Sequence, residues 1–254
     1  MEFLTGKMER RDLPYQEVMG EEHLNQNVTI HGAVHALRPF GGVTFLKLRM
    51  DWGLIQCVCG KEIDLSKVVE EATLRVTGLL HADERAPGGR EVVVSQITVL
   101  THPAEGMPVP INKYKMKLNL DTELSLRPLV LRNLRTRSVF RIQEGICRAF
   151  HEHLQGQGFT EIHTPKIVHA GAEGGSNIFR MEYFNKKAFL AQSPQFYKQM
   201  MVGVFDRVFE TGPVFRAEKH NTKRHLNEYT SLDFEMGYID SFTEIMAMET
   251  GFLQ

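Results

Sequence analysis

Residues 208–237 read VFETGPVFRAEKHNTKRHLNEYTSLDFEMG. The two ends, VFETGPVFRAE and EYTSLDFEM, are rich in Val, Phe, Tyr and Thr and partly alternate apolar with polar residues. That is the pattern of two half-buried strands. Between them Lys219 to Leu226 is polar and basic, with Asn221-Thr222 as the turn. The stretch therefore predicts a long antiparallel hairpin with a charged connecting loop. Arg216, Glu218, Glu228, Asp233 and Glu235 stand within or beside the strand patterns. An idle charge there is costly to bury, so these residues imply a polar site on one sheet face. The competing reading is a solvated hairpin with its charges outward.

Upstream, FLAQSPQFYKQM (Phe189 to Met200) puts Ser193, Gln195 and Lys198 around a helix start behind Pro194. GAEGGSNIF (Gly171 to Phe179) is a glycine-rich loop, a weak signal by itself. Arg135 to Gln157 carries apolar residues at Val139, Ile142, Ile146, Ala149, Phe150 and Leu154, the spacing of an amphipathic helix ended by Gly156 and Gly158. GFTEIHTPKIV then reads as a strand interrupted at Pro165.

Before this the texture differs. Residues 1–26 form a polar lead with helical potential around Tyr15 to Leu24. From Val28, VTIHGAVHAL, VTFLKLRM, GLIQCVCG, ATLRVTGLL and REVVVSQITVL are short β-rich runs, with one helix expected in Lys61 to Glu71 and a hairpin loop at ERAPGGRE (Glu84 to Glu91). Five strands and one helix suggest a small closed barrel of the OB type. Such barrels present aromatics and cations to single-stranded nucleic acid, and Phe45, Arg38 and Gln56 are the candidates. Taken singly, each also fits an ordinary core, surface or edge residue. Residues 101–127 have the Pro and Gly of a linker, and Ile111 to Arg148 carries nine Lys and Arg against three Asp and Glu. That basic run suits either a solvated surface or a hinge against a phosphate backbone.

With 254 residues there is room for two modest domains, and 42% hydrophobic with 24% charged content is that of an ordinary globular chain. The net charge of −1 excludes a bulk polycation. The distribution is uneven: 11 Lys and Arg against 15 Asp and Glu in residues 1–110, and 19 against 16 in residues 111–254. Cys57, Cys59 and Cys147 form no CxxC pair and are odd in number, which argues against a disulfide framework or a zinc site. The opening MEFLTGKMERRDLPY has charges where a signal peptide needs an apolar core, and no run reaches membrane-spanning length. A cytoplasmic protein with no membrane partner and no metal site of its own is expected.

FRAE followed by RHLNEYTSLDFEM resembles motif 2 of the class II aminoacyl-tRNA synthetases, and in detail the archaeal-type aspartyl-tRNA synthetases, including those that also charge tRNA-Asn. The long helix, strand and Pro165 resemble motif 1, which implies a homodimer interface; the upstream RPLVLRN departs from the family form at Val130, where Asp is usual. RPFGG, TFLKLR and GLIQ resemble the anticodon-binding barrel of the same enzymes. The resemblance implies an α+β multidomain fold: an OB-type anticodon-binding β-barrel over 1–104, a hinge over 105–127, and over 128–254 the N-terminal part of a class II antiparallel-sheet catalytic domain. It also implies an aspartate–tRNA ligase that uses ATP to activate L-aspartate and then charges tRNA-Asp, with tRNA-Asn as a second acceptor.

For the site the resemblance assigns roles residue by residue. Glu173 and Ser176 lie on a mobile loop that closes over the amino acid. Lys198 meets the substrate's side-chain carboxylate, Gln195 helps hold its amino group, with whose ammonium Asp233 pairs, and Ser193 belongs to the same aspartate site. Arg216 contacts the α-phosphate, Glu218 holds the adenylate or the acceptor end, Arg224 and His225 contact the outer phosphates, and Tyr229 stacks on adenine. In the barrel Phe45 stacks a base, Arg38 and Gln56 read base edges, and His35 stands where enzymes restricted to tRNA-Asp carry Trp. No string resembling the glycine-rich motif 3 follows, and METGFLQ lies in a helix beginning near Ser241. The catalytic domain is therefore expected to be incomplete, with most Mg²⁺ ligands in the missing part and no activity of this chain alone. The alternatives are a non-catalytic RNA-binding paralogue, a synthetase fragment, or a generic OB-containing single-strand binder.

Overall fold

In the computed structural model of the chain, residues 12–172, 177–220, 222 and 225–254 are described. They form two compact units, Met1–Ser138 and Val139–Gln254.

The first unit is built on a five-stranded barrel. A short helix α1 (Tyr15–Val18) precedes strands β1 (Asn27–Phe40), β2 (Val43–Arg49), β3 (Leu54–Cys59), β4 (Thr73–Ala82) and β5 (Arg90–Thr101), which close in the order β1-β2-β3-β5-β4. All pairs are antiparallel except β3 with β5. Period-two alternation sends Ile30, Leu46, Leu48, Ile55, Leu74, Val76 and Val92 inward, all fully buried. The expected helical potential over Tyr15 to Leu24 is realised only in the four residues of α1, beyond which the chain passes through turns at Gly20.

The helix expected in Lys61 to Glu71 is absent. The segment is a chain of three-residue-spaced turns, Ile63 to Gly60, Val68 to Leu65 and Ala72 to Val69. Asp64 accepts from the Ser66 amide, the local bond by which Asp competes with helix, and Glu71 takes φ +66°. The β4–β5 connection is a short 3-10 turn at Pro87–Gly89, as a hairpin loop requires.

The rest of this unit, α2 (Leu120–Ser125) and α3 (Arg127–Val130), sits with Val109, Ile111 and Val130 in a small apolar cluster of its own. The side chain of Asn133 donates to the Ile111 and Lys113 carbonyls while accepting from the Thr136 amide, so it caps the start of α4 (Leu134–Gly156). The basic run is thus folded onto a core and not a bare tether.

In the second unit the GFTEIHTPKIV stretch splits at Pro165 into two strands serving different sheets. Strand β6 (Thr160–Glu161) pairs in parallel with β10 (Arg207–Phe215), and β7 (Ile167–Val168) pairs with β9 (Lys186–Leu190). The sheets run β11-β10-β6 and β7-β9-β8, where β8 is Arg180–Tyr183 and β11 is Glu228–Met236. Helices α5 (Gln195–Phe205) and α6 (Phe242–Leu253) complete the unit, and Ser241 and Glu244 form a capping box at the start of α6. Of the amphipathic stripe read on α4, only Phe150 and Leu154 are buried; Val139, Ile142 and Ile146 are exposed.

Candidate active site and nucleic-acid interface

The β10–β11 hairpin is antiparallel over nine registered pairs, from Arg207–Met236 to Phe215–Glu228. Residues directly opposite share a face, so the hairpin has two unlike sides. Phe209–Phe234 and Thr211–Leu232 face the aromatic cluster of Phe150, Leu154 and Phe159, with Phe150 stacked edge-on 5.7 Å from Phe209. The other side carries Val208–Glu235, Glu210–Asp233, Gly212–Ser231 and Val214–Tyr229.

Lys198 on α5 reaches this polar side. Its Nζ donates to Asp233 Oδ1 at 3.1 Å and lies 3.4 Å from Glu235 Oε2, while Ser231 Oγ donates to Asp233 Oδ2. Gln195 opens α5, its amide 3.4 Å from Ser193 Oγ. Close packing brings α5 here: a Cβ on Gly237 would lie 2.8 Å from Val202. Lys198 and Asp233 thus meet on the polar face midway along the hairpin, with Ser193 and Gln195 at the start of the helix that carries Lys198.

At the loop end of the hairpin Arg216 and Glu218 lie just beyond β10, in extended chain and not in the strand. With His225, Leu226 and Tyr229 they line a cavity of about 480 Å³. Asn177 holds this edge: the Ala217 amide donates to its carbonyl, and its side chain donates to Glu218. Glu173, Ser176 and Arg224 lie outside the described residues, as does Asn221 of the expected turn. Among the described residues no group of three or more His, Cys, Asp or Glu side chains is placed to hold a metal ion.

A second charge on the polar side escaped sequence reasoning. Glu210 is 4% exposed and accepts from the Thr164 amide (2.9 Å), Thr164 Oγ1 (2.7 Å) and Lys166 Nζ (2.9 Å). Lys166 lies over Gly212, where a Cβ would sit 3.2 Å from Nζ. Glu210's burial shows only in the fold, and its partner lies 44 positions away, so no local sequence signal marks the pair.

On the barrel, Arg38, Phe45 and Gln56 line one groove of about 670 Å³ together with Phe40, Lys47, Arg85 and Glu91. Arg38 faces Phe45 in register on the paired strands β1 and β2. Gln56 faces Glu91 across the parallel β3–β5 pair, and its Nε2 donates to Glu91 at 2.9 Å. Asp83 accepts twice from the Arg85 side chain and once from its amide, bonds that lower its pKa to about 2. His35 is not among the groove-lining residues. It sits at the β-bulge of β1 between Val34 and Ala36, 8% exposed, and burial followed by the Arg49 charge lowers its pKa. Beside it Arg49 donates both guanidinium nitrogens to Glu71 at 2.6 and 2.7 Å, and Arg132 adds a third bond at 3.0 Å. Desolvation raises the Glu71 pKa, but the Arg49 and Arg132 bonds outweigh it and leave it lowered.

A closed five-stranded barrel bearing a cation–aromatic groove, followed by a motif-bearing antiparallel hairpin with a buried acid–base array, defines a class of protein. Residues 28–100 match the family model described as an OB-fold nucleic acid binding domain. Residues 119–254 match the model of the class II tRNA synthetases for D, K and N, and the chain belongs to that family. It is an OB-fold domain followed by class II synthetase catalytic structure. Among its relatives, an aspartate–tRNA(Asp/Asn) ligase from Deinococcus radiodurans is 48% identical over 253 residues, covering 98% of this chain and 56% of the relative. The ligase of the same name from Thermus thermophilus is 46% identical over 231 residues, covering 91% and 54%. An asparaginyl-tRNA synthetase from Pyrococcus horikoshii, solved with asparaginyl-adenylate, superposes with TM-score 0.83 at 29% identity over 96% of this chain and 56% of that one. The chain thus spans about half the length of the relatives it matches.

Proposed function

We propose that the protein to which this chain belongs is an aspartate–tRNA ligase, activating L-aspartate with ATP and transferring it to tRNA-Asp and tRNA-Asn. The observation that carries the reading is the Lys198–Asp233 pair, 3.1 Å apart on the same hairpin face as the Arg216–Tyr229 cavity. A small zwitterionic acid needs one fixed cation and one fixed anion, and a bound substrate exchanges their mutual bond for its own carboxylate and ammonium. In this reading Gln195, Ser193, Glu173 and Ser176 complete the aspartate site. At the loop end of the hairpin Tyr229 stacks on adenine, Arg216 holds the α-phosphate, Glu218 holds the adenylate, and Arg224 and His225 hold the outer phosphates.

The chemistry asks little covalent work of these residues. The substrate's α-carboxylate oxygen attacks the α-phosphorus, pyrophosphate leaves, and Arg216 offsets the charge that develops there. The terminal tRNA hydroxyl then takes the aspartyl group and AMP leaves. Mg²⁺, when bound, neutralises phosphate charge.

In the same reading residues 1–104 bind the anticodon, with Phe45 stacking and Arg38 and Gln56 reading base edges, residues 105–127 are the hinge, and residues 128–254 carry motifs 1 and 2. His35, which does not line the groove, acts through the bulge it occupies in β1 and leaves specificity relaxed, as the names of the bacterial relatives suggest for those proteins. Val139, Phe140, Ile142 and Ile146, all exposed on α4, form the face for a second copy, and the protein is cytoplasmic. No helix among the described residues is long and apolar enough to cross a membrane.

The test is aspartate-dependent ATP–pyrophosphate exchange, and charging of both transcripts, by a protein of the relatives' full length. The 254-residue chain alone is expected to bind tRNA and make no aspartyl-adenylate. Charging of neither transcript by the longer protein refutes the ligase reading, and a preference of several hundredfold for tRNA-Asp refutes the relaxed specificity.

A further inference from the structure

Phe40 is the last ladder residue of β1, on the same groove wall as Ala36 and Arg38, yet it is 65% exposed. Burial does not explain a large aromatic left this open. Its placement is nonetheless fixed, because Phe40 pairs with Val43 across Gly41 and Gly42, whose φ of +60° and +117° only glycine adopts freely. Its ring centroid lies 6.4 Å from that of Phe45, with the planes 42° apart. A flat base held between two rings needs them near parallel. In this arrangement the two rings do not form a parallel clamp on one base, which suits them to stacking on two different bases.

We propose that Phe40 is a second stacking platform, holding the nucleobase next to the one stacked on Phe45 in a single-stranded RNA loop. The inference rests on the reading of the groove as an RNA site and adds a base position that this reading does not assign. Charge selects the occupant. Arg38 faces Phe45 and stands two residues from Phe40, and Lys47 lies beyond Phe45; of the acidic groove residues Asp83 is paired with Arg85, while Glu91 keeps its charge and accepts from Gln56. Two rings with cations on one side of them suit a polyanion that carries flat faces.

The test titrates the 254-residue chain with an anticodon stem-loop RNA of tRNA-Asp sequence, bearing 2-aminopurine at one loop position at a time. Phe40→Leu keeps an apolar side chain but removes the ring, and it should weaken binding about tenfold, as loss of one stacked base does. It should also abolish the fluorescence change at a single loop position, adjacent to the position silenced by Phe45→Leu. Phe40→Trp should hold affinity within about twofold, since a ring is restored. The slope of log affinity against log salt should stay unchanged in Phe40→Leu and become shallower in Arg38→Ala, because only the latter removes a phosphate partner. Loss of affinity in Phe45→Leu with none in Phe40→Leu overturns the second platform and leaves the RNA reading standing. Absence of binding by the unaltered chain overturns both.

Discussion

Glu71, in the turn that precedes β4 of the barrel, and Asp233 in the hairpin are both carboxylates held by a cation, yet their surroundings differ. Glu71 is saturated, receiving two bonds from Arg49 and one from Arg132, with its side chain 2% and that of Arg49 6% exposed. Three of its roughly four acceptor positions are filled, and burial closes off the rest. Asp233 takes one bond from Lys198 and one from Ser231, its side chain 15% exposed, and the same Lys198 is shared with Glu235. One cation among several carboxylates on an accessible face is a set of partners that can be exchanged. Burial of charge by itself therefore does not mark a site; burial with replaceable partners does.

The largest effect that could break this comparison is at Lys198. In a protein of the relatives' full length, Lys198→Leu leaves a substrate carboxylate and Asp233 without their cation, at a cost of about 3–5 kcal/mol. Pyrophosphate exchange should fall by about two to three orders of magnitude, given about 1.4 kcal/mol per tenfold, while the barrel still binds RNA. Near-normal exchange in this variant would remove Lys198 from the site and make its pair with Asp233 as structural as Arg49 with Glu71.

Next come the two saturated networks, which should behave as architecture. Glu71→Ala strands Arg49 in a dry setting and should cost about 3–5 kcal/mol of stability. The unfolding transition of Trp52, the chain's single tryptophan, reads it within the same unit. Lys166→Met leaves Glu210 buried without its cation but still bonded twice to Thr164, so the loss should be smaller, about 2–3 kcal/mol. Hydrogen exchange along β10 measures it. Adding Glu210→Gln to Lys166→Met should return most of the loss, because an amide needs no counter-charge; failure to do so would mean that Lys166 acts through more than Glu210.

Much of this was legible in the residues. The alternation in Val208 to Glu235 gave the hairpin, and Pro194 ahead of Gln195 gave the start of α5, because both are local rules. The five strands of the barrel came the same way. What was not legible depends on pairing at a distance. Lys61 to Glu71 looked helical by composition but is governed by Asp64 bonding its neighbour's amide and by Glu71 being held by Arg49, a residue on another strand. Lys166 and Glu210 are separated by 44 positions, so nothing in either local sequence announces the pair. Pro165 was read as an interruption, whereas the structure uses it to pass the chain from the sheet of β10 to that of β9. The exposed face of Val139, Ile142 and Ile146 shows the converse limit: periodicity predicts an apolar stripe but not what covers it.

The smallest predicted effect concerns His35, which touches the saturated network without belonging to it. Burial, then Arg49 and Lys47, lower its pKa from the ordinary value of 6.5, with Glu71 opposing. The folded barrel therefore holds this imidazole neutral where the unfolded chain would already take up a proton. By linkage, its contribution is fully present above about pH 6.5 and is lost as pH falls through the window down to the lowered folded value. Glu71 has the same sign, but its window lies below the ordinary carboxylate value of 4.5, so the two are separable. Denaturant midpoints of Trp52 fluorescence should decline as pH falls below about 6.5 in the parent chain and decline less in His35→Gln, with the acid limb of Glu71 retained in both. An unchanged slope in His35→Gln would assign the decline to another histidine and loosen the link between the bulge of β1 and the Arg49–Glu71 pair.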